Sequence, residues 1–411
     1  MKKKTLPSPE EFNALFCKAC DAHQEQNYAK AKSGYQTLIS YFPEAPILHY
    51  NLGLLLFETK EYVGAVESFL LAAQGNPKDV DILYNLGLSY KKVGDNTTAI
   101  MMYAKVLDLE PGSADALYNM AGCYRDEKNY EDAETTYLKV LELEPGHLAA
   151  NNNLAFVYHL LGNTDRAISS YQKVLELQPE HKMAEHMLAA LTGAAVSSPP
   201  HIYVQEVFDN YSDRYEQSLV VELEYAVPAT LKDIVTAGDK WKHFFDYGLD
   251  LGCGTGLGGE AFCDLIKRLD GVDLSPKMID VAYDKEMYHS LYVSGIKEYL
   301  LEDVGLYDFV LAADVFAYVG DLQEVLENLH KRVTADVLFC FSTEKCHGDG
   351  FELLSTGRFA HSAAYVSKLA QSTGWRVIKQ QTSSLRKEKG TWIEGDLWFM
   401  GKGEPQRVEE K

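Results

Sequence analysis

One stretch decides how the second half of the chain folds: Leu249-Asp250-Leu251-Gly252-Cys253-Gly254-Thr255-Gly256-Leu257-Gly258. Its apolar start predicts a strand, its glycines predict a tight turn, and the apolar spacing that follows predicts a helix. The glycines allow positive φ angles and bring bare backbone close to a ligand. The next predicted strand ends in an acid, Asp273. Together these elements predict the first unit of a doubly wound α/β sheet.

The glycine stretch and this acid resemble motif I and the second-strand acid of class I S-adenosylmethionine (SAM) methyltransferases. The resemblance implies a Rossmann-like seven-stranded sheet, SAM as cofactor, and ribose hydroxyls that donate to Asp273. It implies cofactor contacts for Asp250, Gly252, Cys253, Gly254, Gly256, Asp273 and Leu274.

Two other interpretations of the glycine stretch remain open. Gly254, Gly256 and Gly259 also fit the G-x-G-x-x-G pattern of nicotinamide-binding folds, and the turn could be purely structural. Asp250 argues against a dinucleotide, because a carboxylate at the start of the loop repels a pyrophosphate. SAM instead carries an ammonium and a sulfonium.

Length and charge limit the possible functions. A chain of 411 residues is long enough for two domains, each with its own core. The net charge of −21 makes nucleic acids and membrane surfaces unlikely partners, because both need a basic patch. The lysines at residues 2–4 precede no apolar run, so we expect no secretory signal. Seven cysteines without a framework spacing predict a reducing, cytoplasmic location.

The first half of the chain repeats every 34 residues. Four kinds of residue keep this period: a proline, an alanine, an aromatic residue and a small residue. They are Pro43, Pro77, Pro111, Pro145 and Pro179; Ala31, Ala65, Ala99, Ala133 and Ala167; Tyr35, Phe69, Tyr103, Tyr137 and Tyr171; and Ala19, Gly53, Gly87, Ala121 and Ala155.

This period resembles the tetratricopeptide-repeat family, which implies an all-α solenoid of antiparallel helix pairs. Five repeats run over residues 12–181, and residues 182–191 are expected to form a helix that covers the last repeat. The predicted organisation is a repeat domain at 12–192, a linker at 193–200 and a methyltransferase domain at 201–404.

The repeats also carry a row of asparagines that suggests a peptide-binding surface. An amide both donates to and accepts from an extended backbone, and the row resembles the asparagines with which O-GlcNAc transferase holds its substrates. The same residues could instead support the helices, and the neighbouring tyrosines at 50, 84 and 118 could simply pack. The row is Asn51, Asn85, Asn119 and Asn153.

Residues 207–216 resemble the lid helix of a predicted group of methyltransferases linked to tetratricopeptide repeats. The resemblance implies that Tyr211 contacts cofactor or substrate, with a weaker case for Tyr215. The group has an acid after the third strand that accepts from the adenine amino group. This chain has Ser294-Gly295 there, so the sequence does not show what replaces the acid.

Candidate catalytic residues follow the fourth and fifth strands. Asp314 ends the predicted fourth strand, where class I enzymes place the transferred methyl group, and it could act as a base or only cap a turn. A histidine side chain ordinarily titrates near neutrality, so His361 could accept a proton or cap a helix. Arg358 and Tyr365 are expected to contact a substrate, with Arg358 clamping a carboxylate.

The sequence therefore predicts a SAM-dependent methyl transfer, in which alignment and exclusion of water matter more than a strong base. The acceptor could be a protein recruited by the repeats or a small metabolite. The alternative is an adaptor that binds SAM without catalysis. No Asn-Pro-Pro-Tyr follows the fourth strand, which argues against methylation of planar amide or base nitrogens.

Overall fold

The computed structural model describes residues 6–211, 216–238, 241–302, 305–388 and 390–403. Its contacts divide the chain into two units, Met1–Pro179 and Glu180–Lys411. The first unit is helical and the second is a mixed α/β structure, which confirms the predicted fold class. Among the described helices, none is both long and apolar enough to cross a membrane.

The first unit consists of five antiparallel helix pairs. Each helix packs against its partner and against the next pair along the chain. The helices are α1 (Pro9–Gln24), α2 (Tyr28–Ile39), α3 (Pro46–Glu58), α4 (Tyr62–Gly75), α5 (Val80–Val93), α6 (Asn96–Leu109), α7 (Ala114–Asp126), α8 (Tyr130–Leu143), α9 (Leu148–Leu160) and α10 (Thr164–Leu177).

The periodic small and aromatic residues meet inside each pair. A Cβ added to Gly53 would lie 2.7 Å from the ring of Phe69, and one added to Gly87 would lie 2.8 Å from Tyr103. Both rings are fully buried. The small residue therefore lets the helices approach until the aromatic side chain fills the space between them, as the sequence predicts.

The second unit holds a twisted sheet covered by helices. A π-helical turn covers Gln217–Glu222 and a 3-10 turn covers Phe316–Tyr318. The remaining elements are α11 (Lys182–Thr192), α12 (His201–Tyr211), α13 (Val227–Ala237), β1 (Gly248–Leu251), α14 (Leu257–Phe262), β2 (Leu269–Asp273), α15 (Pro276–Asp284), β3 (Ser290–Val293), α16 (Ile296–Leu301), β4 (Tyr307–Ala312), α17 (Gln323–Lys331), β5 (Val333–Lys345), β6 (Phe351–Leu353), β7 (Phe359–His361), α18 (Ala363–Ser372), β8 (Trp375–Glu388) and β9 (Thr391–Lys402).

The main sheet has the order β3-β2-β1-β4-β5-β9-β8, with β1 to β5 parallel and β9 antiparallel to both of its neighbours. The chain runs from β1 through β2 to β3 on one side of β1 and then crosses back to β4 on the other side. A crevice therefore opens at the carboxyl ends of β1 and β4. The short hairpin of β6 and β7 adds to the end of β5, where Glu344 pairs with Ala360. The sequence analysis did not predict this hairpin.

The residues before α12 also pack within the second unit. In α11, the Nε2 atom of His186 lies 2.8 Å from the carbonyl oxygen of Gly357, and its ring packs on Tyr203. The amide of Asp321 donates to the carbonyl of Ser197 at 2.9 Å. The sequence predicts a repeat-capping helix and a linker in this region, whereas these contacts attach both segments to the α/β structure.

Candidate functional site

Two cavities meet at the carboxyl ends of β1, β2 and β4. The larger has a volume of about 900 Å³ and the smaller about 330 Å³. Both are lined by Gly252, Gly254 and Ala313. The glycine turn thus forms a boundary that one elongated ligand would cross.

The turn needs its glycines for different reasons. Gly252 has a φ of 68°, and an added Cβ would lie 2.8 Å from the Cβ of Val315. Gly254 has a φ of 53°, yet an added Cβ would meet no heavy atom within 4 Å. Gly256 has a φ of 97° immediately before α14. Val315 therefore fills the space beside Gly252, whereas the space beside Gly254 is free for a ligand.

Asp273, the last residue of the neighbouring strand β2, fixes the glycine turn by hydrogen bonding. Its Oδ2 accepts from the Gly254 amide at 2.9 Å, and its Oδ1 accepts from the Ser275 amide at 2.8 Å. Burial raises the pKa of Asp273, and these amide hydrogen bonds oppose the rise. Leu274 lines the larger cavity beside it. Asp209 of α12 accepts from the Ser275 hydroxyl at 2.5 Å and so ties this helix to the site.

Asp250 lies below the turn and lines the smaller cavity. It is 2% exposed, and its Oδ2 accepts from the Tyr288 hydroxyl at 2.8 Å. Burial raises the pKa of Asp250 to about 7. The buried thiol of Cys253 and the hydroxyl of Thr255 line the same cavity. The Thr255 hydroxyl has no hydrogen-bond partner among the described residues.

After the carboxyl end of β3, two other side chains occupy the space that a side chain of residue 295 would fill. A Cβ added to Gly295 would lie 3.1 Å from the Cδ of Glu298 and 3.0 Å from the Cε1 of His201. Both side chains line the larger cavity, together with Phe208 of α12. The side chain of Tyr211 and the whole of Tyr215 lie outside the described residues, so the predicted contact of Tyr211 stays a prediction.

Asp314 lines the larger cavity in a conformation that is rare for a residue with a side chain, with a φ of 60°. Its amide donates to the Ser342 hydroxyl at 2.8 Å. Arg386 Nη1 donates to both of its carboxylate oxygens, at 2.5 and 2.6 Å. Burial raises the pKa of Asp314, and the charge of Arg386 opposes the rise. Both carboxylate oxygens thus have a fixed partner, so Asp314 is not a free base.

Arg358 belongs to the same buried ion network. Its Nε donates to Glu344 at 2.7 Å and its Nη2 donates to Glu388 at 2.5 Å. Arg386 donates to the same two glutamates. Arg358 lines neither cavity. The guanidinium is thus already paired with two glutamates, and its role as a clamp for a substrate carboxylate stays a prediction.

His361 and Tyr365 hold the loop after β4 rather than a substrate. His361 is fully buried in β7, with Nε2 2.8 Å from the carbonyl oxygen of Gly320. Burial lowers the pKa of His361 to about 4. The cap of α18 is Ser362. The Tyr365 hydroxyl donates to Asp321 at 2.9 Å. Neither residue lines either of the two cavities, and their roles towards a substrate stay predictions.

Three asparagines of the row donate hydrogen bonds to tyrosines of the preceding repeat. The Asn119 amide donates to the Tyr84 hydroxyl at 3.0 Å and to the Asp115 carbonyl at 3.0 Å. Asn85 and Asn153 donate to Tyr50 and Tyr118 in the same way, at 3.4 and 3.1 Å. Asn51 donates to the carbonyl of Ile47 at 2.8 Å. The donors of the row thus support helices, as one of the two sequence interpretations proposes.

Several residues of the site escaped the sequence analysis. Arg386 and Glu344 are 42 positions apart and meet only because β8 and β5 both contact β9. No local period connects such residues. Asp209 lies in the stretch that resembles a lid helix. That resemblance predicts the helix but not the hydrogen bond from Ser275 to Asp209.

Comparison with family models gives matches in both halves of the chain. A methyltransferase-domain model matches residues 249–339. Tetratricopeptide-repeat models match residues 18–80, 80–113 and 112–180.

Curated relatives match part of the chain. A malonyl-[acyl-carrier protein] O-methyltransferase of Bacillus anthracis is 30% identical over 99 residues, which is 23% of this chain and 36% of the relative. A probable 18S rRNA (guanine-N(7))-methyltransferase of Dictyostelium discoideum is 24% identical over 141 residues, or 34% and 48%. The matches thus span about a third to a half of these relatives.

Solved structures resemble each half separately. The MamA protein is 19% identical with a TM-score of 0.40, over 41% of this chain and 92% of that one. A SAM-dependent methyltransferase from Clostridium acetobutylicum is 15% identical with a TM-score of 0.37, over 48% of this chain and all of that one.

Proposed function

Because this chain carries tetratricopeptide repeats followed by a methyltransferase domain, we propose that it binds SAM and transfers the methyl group to an acceptor. The observation that carries the proposal is the pair of cavities that share Gly252 and Gly254, each with an acid beside the glycine turn. Asp273 lines the larger cavity and Asp250 the smaller. An elongated cation with a polar group at each end fits this arrangement.

The residues present fit the two ends of SAM. Asp273 would accept from the ribose hydroxyls, beside Leu274. Asp250 and the unpartnered hydroxyl of Thr255 would face the amino-acid end, where a buried carboxylate complements an ammonium. Gly254 would lie against the ligand, since its missing side chain leaves open space. SAM supplies the reactive methyl group on a sulfonium.

Glu298 is our candidate for the missing adenine acid. Its carboxyl carbon lies where the side chain of residue 295 would point, and it lines the larger cavity. A carboxylate at this point would accept from the exocyclic amino group of adenine. His201 approaches the same point from α12 and would cover the ring.

The arrangement favours catalysis by alignment. Arg386 holds Asp314 as a fixed wall of the cavity, and α12 covers the site with Phe208 and is tied down by Asp209. These residues would orient an acceptor and exclude water without taking its proton. We therefore propose an acceptor that is nucleophilic at neutral pH. The malonyl-[acyl-carrier protein] O-methyltransferase and the 18S rRNA (guanine-N(7))-methyltransferase act on different acceptors and match only 36% and 48% of their own lengths, so they do not distinguish acceptors for this chain.

We further propose that the repeats recruit a protein, either the substrate or a partner, in the cytoplasm. The second candidate function is an adaptor that binds SAM without catalysis. The observation in its favour is that Arg386 holds both carboxylate oxygens of Asp314, and that His361 is buried outside both cavities with its pKa lowered to about 4.

The test is calorimetric titration of the full chain with SAM and S-adenosylhomocysteine. We compare the wild type with Asp273→Ala and with Asp280→Ala, an exposed acid of α15. Saturable binding by the wild type and the control, lost in Asp273→Ala, supports the site. Absence of binding by a folded wild type contradicts the proposal.

Catalysis is tested separately by incubating a lysate with labelled SAM and the wild-type chain. Labelling of an acceptor that Asp273→Ala does not produce supports the enzyme. SAM binding without labelling of protein or small-molecule fractions favours the adaptor.

A further inference from the structure

Tyr288, in the segment between α15 and β3, lies in a slot built from three glycines. Cβ atoms added to Gly259 and Gly271 would lie 2.8 Å and 2.9 Å from its side chain. One added to Gly256 would lie 3.3 Å from the same ring. A methyl group at Gly259 or Gly271 would therefore displace the ring, so the glycines around the turn also make room for this side chain.

The hydroxyl of Tyr288 connects a helix to an acid of the candidate site. It accepts from the amide of Gly259 in α14 at 3.0 Å and donates to Oδ2 of Asp250 at 2.8 Å. Burial and the nearby charge of Asp250 raise the pKa of Tyr288. The hydroxyl is therefore protonated at neutral pH and remains a donor.

This contact orients the carboxylate of Asp250. A Cβ added to Gly258 would lie 3.0 Å from its Cγ, so the carboxylate packs against the bare first turn of α14. With Oδ2 engaged by Tyr288, Oδ1 is the oxygen that a ligand in the smaller cavity would engage.

The same contact favours the charged form of Asp250. Burial and the charge of Asp273 raise the pKa of Asp250 to about 7, and the hydrogen bond from Tyr288 opposes this rise. A hydrogen bond to a carboxylate stabilises its ionised form. Loss of the Tyr288 hydroxyl should therefore raise the pKa of Asp250 further.

The other titratable groups near this acid are neutral or paired. Cys253 and Tyr225 line the same cavity, and a thiol and a phenol are both neutral at neutral pH. Burial raises the pKa of the Cys253 thiol further. The ammonium of Lys285 pairs with Glu260 of α14 and with Glu216. The hydroxyl in the glycine slot therefore supplies the contact that favours the charged acid.

We propose that Tyr288 is a positioning residue for the cofactor, whose hydroxyl holds the carboxylate of Asp250 in place to accept from the ammonium of SAM. The inference deepens the proposed binding of SAM and rests on it. Since Tyr288 acts through Asp250, its hydroxyl should matter for ligands that carry the ammonium and not for those that lack it. An ammonium binds the ionised carboxylate, so SAM affinity should rise as the pH rises through the pKa of Asp250.

The experiment is calorimetric titration of the full chain with SAM and with methylthioadenosine, from about pH 6 to about pH 7.5. Methylthioadenosine keeps the adenine, ribose and thioether but lacks the amino-acid end. Tyr288→Phe removes the hydroxyl and leaves the ring in its slot. Tyr307→Phe is the matched control, because Tyr307 is fully buried, its hydroxyl lies 2.8 Å from that of Tyr299, and it lines neither cavity.

We expect Tyr288→Phe to bind SAM about tenfold more weakly than the wild type at neutral pH, the loss of one hydrogen bond to a charged group. The loss should shrink as the pH rises, because the higher pKa of Asp250 in this variant shifts the increase in affinity to higher pH. Methylthioadenosine should bind both chains alike. Tyr307→Phe should match the wild type with both ligands.

Gly259→Ala is the second variant, which keeps the hydroxyl but displaces the ring that carries it. Its SAM affinity should fall in the same way, while its affinity for methylthioadenosine is retained. Circular dichroism establishes that each variant is folded.

Unchanged SAM affinity in either folded variant overturns the proposal, as does an equal loss of affinity for both ligands or a loss that stays constant with pH. A wild type that does not bind SAM contradicts the proposed function. A wild type that binds SAM beside unchanged variants contradicts the role of Tyr288 alone.

Discussion

Arg386 donates from one nitrogen to both carboxylate oxygens of Asp314, at 2.5 and 2.6 Å, and so fixes the residue that follows β4. Arg386 is buried and Asp314 is partly buried, and the two residues are 72 positions apart in the chain. The strained φ of Asp314 is thus held by a partner from β8. This relationship makes Asp314 a positioning residue in the structure.

The first prediction concerns this pair. We expect Arg386→Leu to destabilise the second unit by about 3–5 kcal/mol, because it leaves Asp314 and Glu344 buried with less compensation. All four tryptophans lie in the second unit, so their fluorescence during urea unfolding reports that unit alone.

Arg376→Leu, on the exposed part of β8, is the matched control and should change stability by less than about 0.5 kcal/mol. Asp314→Asn added to Arg386→Leu should recover part of the loss, because it removes the stranded charge. An unfolding midpoint equal to that of the wild type in Arg386→Leu would contradict the network.

The second prediction compares two glycines of the turn. Gly254→Ala should cost about 1–2 kcal/mol of stability for its positive φ, yet abolish SAM binding, since the methyl group would enter the open space. Gly252→Ala should cost more, because its Cβ would also overlap Val315.

Tryptophan fluorescence in urea and calorimetry with SAM measure the two effects. SAM binding by Gly254→Ala at wild-type affinity would show that the ligand does not approach this backbone. Equal stability of the two variants would contradict the difference in packing.

The third prediction concerns Glu298. Glu298→Gln should weaken SAM binding by roughly tenfold, the loss of one charge-assisted hydrogen bond to the adenine amino group. Analogues with inosine in place of adenosine carry a carbonyl oxygen instead of that amino group, so they should bind Glu298→Gln better than the wild type, because only the amide can donate to this oxygen. Glu302→Gln is the exposed control after α16. Identical SAM affinity of wild type and Glu298→Gln would remove Glu298 from the site.

The fourth prediction concerns pH. Burial lowers the pKa of His361 to about 4, below the 6.5 of a free side chain. The unfolded chain therefore binds a proton that the folded chain does not, and stability falls as the pH drops from 6.5 towards 4. The contribution of this residue is roughly 3 kcal/mol over that window. Urea unfolding at several pH values should show a smaller loss in His361→Gln, and parallel curves would contradict the assignment.

The sequence alone determined the order of the two architectures and the placement of the cofactor turn. A period of 34 residues is visible without coordinates because each repeat packs mainly on its neighbours. The glycines of the turn and Asp273 can also be identified from the sequence, because a positive φ and a close backbone approach require particular residues at fixed spacing. The sequence also shows the asparagine row, but it does not decide whether these side chains bind a peptide or support the helices.

Only the tertiary structure decided what the polar side chains do. Arg358 and His361 carry suitable chemistry for a substrate, but burial and the partners Glu344 and Gly320 occupy them. Those partners come from distant strands and loops, and no local spacing encodes such pairings.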